Sequence, residues 1–114
     1  MREKDISRLL TDDYAERILV ATYKTPRSVQ EISDKYDIPI AACYRKIHEL
    51  EDAGFLKCAQ IVTTPKGKTM KLYQATLKSA HLRYQDGSFK VKFEFDHDTG
   101  INGKWIELNK AQNH

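Results

Sequence analysis

PIAACYRKIHELEDAG, residues 39–54, decides how the rest of the chain reads. Ile40, Cys43, Ile47 and Leu50 recur at i, i+3, i+7 and i+10, the spacing of one buried helical stripe. At 100° per residue, Ala41, Arg45 and His48 project from the opposite face, with Tyr44 on its flank. The polar face changes sign along its length, from Arg45, Lys46 and His48 to Glu49, Glu51 and Asp52. Such a helix can meet a polyanion with its first half and hold its acidic half away. Pro39 is expected at the first helical position, where a missing N–H is no loss. Gly54 is expected just past the end, at C′.

Immediately upstream, Ser28-Val29-Gln30-Glu31 is an S-x-x-E capping box opening a short helix with Val29, Ile32 and Tyr36 facing inward. Lys35 to Ile38 makes the turn into the next helix. Farther back, Thr11, Asp12 and Asp13 crowd the start of a helix over about Asp12 to Tyr23. Tyr14, Ile18 and Ala21 lie on one of its faces, and Leu19 and Val20 widen the stripe. Three helices, the last two joined by a tight turn, make the tri-helical core of a helix-turn-helix domain. Residues 1–10 are charged and are expected as a lead-in, or as an arm that packs on a second subunit.

Downstream, the stretch Phe55 to Thr64 changes to strand character. Pro65-Lys66-Gly67-Lys68 turns the chain, and Thr69 to Thr76 reads as the return strand. A lysine-tipped hairpin directly after such a helix is a wing, with Lys66, Lys68 and Lys71 placed along a phosphate backbone. A second hairpin follows, in which Asp86-Gly87 is the two-residue type I′ signature. Its register sets Tyr84 opposite Phe89, Leu82 opposite Val91 and Ala80 opposite Phe93. On the other face it opposes Arg83 to Lys90 and His81 to Lys92, like charges that either something anionic offsets or the sheet twist splays into water. The Phe-rich face must be covered by the first helix or by a second subunit. Residues 97–114 read as a tail in which Trp105, Ile106 and Leu108 suit either a short strand or one helical turn. The chain divides accordingly: arm 1–10, winged helix-turn-helix domain 11–77, second hairpin 78–96 and tail 97–114. The fold class is α+β.

Composition limits the function. The chain is 40% hydrophobic and 31% charged, with no apolar run near the roughly 20 residues that span a bilayer. No membrane association and a cytoplasmic location are expected. Net charge is +3, unevenly spread. Residues 1–54 hold nine Lys/Arg against eleven Asp/Glu, residues 55–92 eight against one, and residues 93–114 two against four: balances of −2, +7 and −2. A basic block inside a near-neutral chain points to a local anionic partner, or to a solvated lysine-rich sheet face. Cys43 and Cys58 are fifteen apart with no CxxC spacing, and His81, His97 and His114 show no ligand spacing. No metal or cofactor is expected. There is no glycine-rich phosphate loop and no Ser-His-acid spacing, so no enzyme is expected either.

The helix ending Glu49-Leu50-Glu51-Asp52-Ala53-Gly54-Phe55-Leu56, preceded by a capped helix and followed by a hairpin, resembles winged-helix regulators of the arsenical-repressor (ArsR) type. Ile47, Leu50, Ala53, Gly54, Phe55 and Leu56 match that family's L-x-x-L-x-x-A-G-L-[VI] ending, and Leu72-Tyr73 looks like its returning strand. The similarity covers about residues 12–77. The chain is also similar to small one-domain regulators common in archaea, which extend the wing with further strands. The resemblance implies Ala41, Ala42, Tyr44, Arg45 and His48 near the major groove, and a homodimer on a near-palindromic site. The Cys-x-Cys pair of metal-sensing members is absent.

These readings combine into an expected DNA-binding transcriptional regulator. It binds duplex DNA as a homodimer through a recognition helix, 39–53, and a wing, 64–71. The expected contacts are Ser28, Gln30, Ala41, Ala42, Tyr44, Arg45, Lys46, His48, Lys66, Lys68 and Lys71. The alternative is a winged-helix protein–protein module of the transcription machinery, docking through the Phe-rich hairpin or the acidic half of the helix. A small-molecule effector is compatible with the sequence but has no residue pattern behind it.

Overall fold

The helix that begins after Pro39 is closed by its own sequence chemistry at one end more fully than at the other. In the computed structural model, which describes residues 3–108, this is the fourth helix, α4 (Ile40–Asp52). Pro39 is its N-cap and not its first helical residue: φ −53° and ψ 136° keep it extended, while its carbonyl accepts the Cys43 N–H at 2.9 Å. At the other end Gly54 takes φ +82°, the left-handed conformation that a glycine adopts without penalty. The Gly54 N–H then reaches the Glu51 carbonyl and the Phe55 N–H reaches Leu50, both at 2.9 Å. That is the paired closure of a Schellman motif, with Leu50 and Phe55 as its buried apolar contact.

The preceding helices are α1 (Glu3–Leu10), α2 (Asp13–Thr22) and α3 (Val29–Tyr36). Asp12 caps α2 by accepting the Ala15 N–H at 2.9 Å, and Ser28 caps α3 by accepting Glu31 N–H at 3.1 Å. The box at Ser28 is half formed, because the Glu31 carboxylate turns to Arg27 at 2.9 Å. Helix α1 departs from the expected lead-in or arm. It is helical, its Leu9 is buried, and Ile6 and Leu10 pack against the same chain's core. Along α2, Ala15, Ile18, Ala21 and Thr22 are buried, but Val20 is 66% exposed and so lies outside the stripe it was expected to widen. Ile40 of α4 is likewise 40% exposed and so falls outside the buried stripe of Cys43, Ile47 and Leu50.

Two antiparallel sheets follow. Strands β1 (Leu56–Thr63) and β2 (Thr69–Ala75) form one, with a bulge between Cys58 and Gln60. Strands β3 (Leu77–Gln85), β4 (Ser88–Phe95) and β5 (Trp105–Glu107) form the other, in the order β3-β4-β5. Asp86 (φ 51°) and Gly87 (φ 76°) make the turn, and β3 meets β4 with Tyr84 opposite Phe89, Leu82 opposite Val91 and Ala80 opposite Phe93, the expected register. Trp105 and Ile106, which suited either strand or helix, belong to β5 and pair with Lys92 and Val91. Residues 109–114 of the expected tail lie outside the described residues.

Phe55 joins the two halves. Its ring sits 5.1 Å from Phe93 and 6.0 Å from Phe95, and its carbonyl accepts the Thr76 N–H at 2.9 Å. Val91, Phe93 and Phe95 are therefore buried in the core of their own chain, which settles what covers that end of the Phe-rich face. The outer end of that face is open: Leu82, Tyr84 and Phe89 are 53%, 64% and 42% exposed.

Candidate nucleic-acid interface

The N-terminus of α3, the outer face of α4 and the β1–β2 hairpin converge on one groove. What fixes the hairpin there is a short backbone bridge. Arg27 N–H donates to the Tyr73 carbonyl at 3.0 Å and Tyr73 N–H donates back at 2.8 Å, so the residue before the Ser28 cap pairs with β2. Arg27 Nε also donates to the Ala21 carbonyl at 2.8 Å, and Gln74 Nε2 reaches the Lys24 carbonyl at 3.3 Å. The hairpin is thus tied to the loop between α2 and α3, and its outer end is carried past α4.

The groove has a volume of about 470 Å³. It collects six of the expected contact residues: Ser28 and Gln30 from α3, Tyr44 and His48 from α4, and Lys68 and Lys71 from the hairpin. Ala41 and Arg45 are exposed on α4, and Lys66 is exposed at the hairpin turn. That turn is tight: Gly67 N–H donates to the Thr64 carbonyl at 2.9 Å, and Lys68 N–H donates to Thr64 Oγ1 at 3.1 Å. Among the described residues, Arg45, Lys66, Lys68 and Lys71 make no ion pair. Their charge is available to an outside anion. Some donors are already engaged: Gln30 Nε2 holds Asp34 at 3.0 Å, and His48 Nδ1 lies 3.7 Å from Glu51.

Two expected contacts are placed elsewhere. Lys46 is directed away from the groove, its ammonium 3.2 Å from Asp12 and 3.3 Å from Glu49, with the side chain only 15% exposed. It ties α4 to the N-cap of α2. Burial works against ionisation of Asp12, but the Ala15 N–H and the Lys46 ammonium outweigh it and hold the carboxyl below its ordinary range. Ala42 is half-buried on the same flank and packs against the core.

Thr64, Thr69, Met70 and Tyr73 also line the groove and were not among the expected contacts. Strand alternation carries the signal for two of them, since Thr69 and Tyr73 share a face of β2 with Lys71. Neither thiol lines the groove. Cys43 is buried and points at the Val29 carbonyl, 3.8 Å away, and burial pushes its thiol pKa up. Cys58 is half-buried, and both cysteines are free. Among the described residues no group of three or more His, Cys, Asp and Glu side chains is arranged to hold a metal ion. No described helix is long and apolar enough to cross a membrane.

A capped helix, a tight turn, a second helix with an exposed basic start and a hairpin tied beside it define a helix-turn-helix domain. Residues 10–59 match a family model described as a helix-turn-helix domain, which supports a helix-turn-helix regulator family. Such domains are typical of DNA-binding regulators and not of enzymes. Among curated proteins, none matches the chain significantly.

Proposed function

We propose that the protein is a sequence-specific DNA-binding transcriptional regulator of the winged helix-turn-helix type. Helix α4 enters the major groove, the β1–β2 hairpin is the wing, and two copies act together on duplex DNA. The supporting observation is the convergence of Ser28, Gln30, Tyr44, His48, Lys68 and Lys71 on one groove, with the unpaired cations Arg45 and Lys66 beside it. Phosphate contacts from the wing and the start of α3 supply most of the affinity, and the first half of α4 discriminates bases.

A mobility-shift titration at two salt concentrations tests the proposal. Affinity falls steeply with salt, because the DNA contacts release counterions. Arg45→Ala weakens a selected site by about 1–3 kcal/mol more than random duplex, whereas Lys66→Ala weakens both alike and lowers the salt slope by about 1. Equal losses for Arg45→Ala on both kinds of DNA remove Arg45 from base reading. The protein–protein alternative draws on the exposed Leu82, Tyr84 and Phe89, which an adaptor could use for docking. An adaptor gives no shift, or a weak one indifferent to sequence.

A further inference from the structure

The three-stranded sheet has a second, chemically different face. Alternation along β4 directs Lys90 and Lys92 away from the side that buries Val91, Phe93 and Phe95. On β3, Arg83 stands opposite Lys90 and His81 opposite Lys92. On β5, Glu107 stands opposite Lys90 and Trp105 opposite Lys92. Two acids share this face, Glu94 two residues beyond Lys92 on β4 and Glu107 opposite Lys90 on β5, but neither makes an ion pair with these cations, and the Glu107 carboxylate accepts the Ser88 hydroxyl at 3.3 Å. Arg83, Lys90 and Lys92 have no carboxylate partner among the described residues. Directly opposed like charges are mildly destabilising in a sheet, a cost that a bound anion lowers.

Two of the cations are held in place. The Arg83 guanidinium lies 4.3 Å from the centroid of the Trp105 ring, and the Lys92 ammonium lies 5.0 Å from it. Beside them a cleft of about 320 Å³ is lined by Arg83, Gln85, Ser88, Lys90 and Asp86. Along β4, Lys90 and Lys92 are about 7 Å apart by strand geometry, and Arg83 is one strand spacing, about 5 Å, to the side. A single small anion engages one pair of these cations, while a chain of repeating anions engages them all.

We infer that this basic sheet face is a second binding surface, for the phosphate backbone of duplex DNA. The inference rests on DNA being the partner of the chain, as proposed above. Two observations favour a duplex backbone over other polyanions. The Trp105 ring packs against the Arg83 guanidinium and the Lys92 ammonium, which limits its use as a platform for stacking single-stranded bases. Of the exposed apolar side chains of this sheet, Leu82, Tyr84 and Phe89 lie on the opposite side and Trp105 alone lies on this face, held between Arg83 and Lys92, so the face has no apolar stripe of the kind a lipid-binding surface inserts. Contacts here carry no sequence information and add affinity to any duplex.

Trp105 is the sole tryptophan of the chain and reports on this face alone. Titrating the full-length protein with a random-sequence duplex is expected to change its emission saturably, with reversal by salt. The Arg83→Gln/Lys90→Gln/Lys92→Gln variant is expected to lower the salt slope of duplex binding by about 2–3, equally for selected and random sequences. Inorganic phosphate and vesicles of phosphatidylserine and phosphatidylcholine, at matched phosphate, serve as the other arms. A mobility shift without any change in Trp105 emission overturns the second surface and leaves the first proposal standing. So does a triple variant with an unchanged slope, or vesicles that shift the emission as strongly as the duplex. Absence of any duplex binding removes both.

Discussion

Lys46 shows how a single residue changes its meaning between sequence and structure. Beside Arg45 and His48 it reads as one of three cations for a polyanion, but its ammonium bridges Asp12 and Glu49. Helical geometry already separates them: at 100° per residue Lys46 lies about 65° from the centre of the Cys43–Ile47–Leu50 stripe and Arg45 about 165°. A long flexible side chain at 65° snorkels to whichever carboxylate is near, and Asp12 is brought near only by the packing of α2 on α4. The consequence is a stability role. Asp12→Ala removes the α2 cap and is expected to cost about 1 kcal/mol in urea denaturation at pH 7. Because the folded carboxyl titrates below its unfolded value, its contribution is complete above the unfolded pKa and is lost as pH falls through the folded one. The difference between wild type and Asp12→Ala should therefore narrow on acidification below about pH 4. Lys46→Gln should lower stability while leaving the salt slope of DNA binding unchanged; a drop of about 1 in that slope would return Lys46 to the interface.

At the scale of elements, local chemistry was legible wherever one or two residues dictate a backbone conformation. Gly54 beyond α4, Ser28 before α3 and Asp86-Gly87 between β3 and β4 each take the role their residue type suits. Gly54 makes the test. Open space surrounds the position of a Cβ there, so Gly54→Ala brings strain and not collision. The positive φ makes the expected loss about 1–2 kcal/mol, and Gly54→Asn should recover part of it. A neutral Gly54→Ala would mean that α4 ends differently in solution. Illegible elements were those made by tertiary contact. Helix α1 offers only Ile6, Leu9 and Leu10, a single turn of helical spacing that needs the core behind Leu9 to hold it. Strand β5 spans three residues, too few for alternation to register, and exists by pairing with β4. The groove was half legible for the same reason: α4 and the hairpin turn carry their cations openly, but Thr64, Met70 and Tyr73 join them through tertiary ties such as the Arg27–Tyr73 bridge.

At the scale of the whole molecule, 56 × 29 × 20 Å, the described residues leave an apolar strip open. It begins on α2, where Val20 and Tyr23 are 66% and 53% exposed beside a groove of about 460 Å³ lined also by Leu10, Leu19, Leu77 and Ala80 and rimmed by Glu16, Lys78 and Ser79. Ala80, Leu82 and Tyr84 share one face of β3, so the strip continues along the sheet to Phe89, whose ring packs tilted against that of Tyr84 with centroids 4.8 Å apart. Strand β3 is also an edge of its sheet, with backbone groups unpaired on one side over much of nine residues. Lys78, His81 and Arg83 punctuate that edge, which disfavours open-ended strand addition. A two-fold closed pair is the association these features suit, since each copy then covers the other's strip and no edge is left to propagate. Light scattering on the 13.2 kDa chain is expected to give twice that mass. Val20→Glu, at a position already exposed in one chain, is expected to yield a folded monomer whose affinity for a two-half-site duplex falls toward that for a single half-site. A wild-type chain that stays at 13.2 kDa through the micromolar range would leave α4 and the wing reading one half-site alone, and the strip would need another partner.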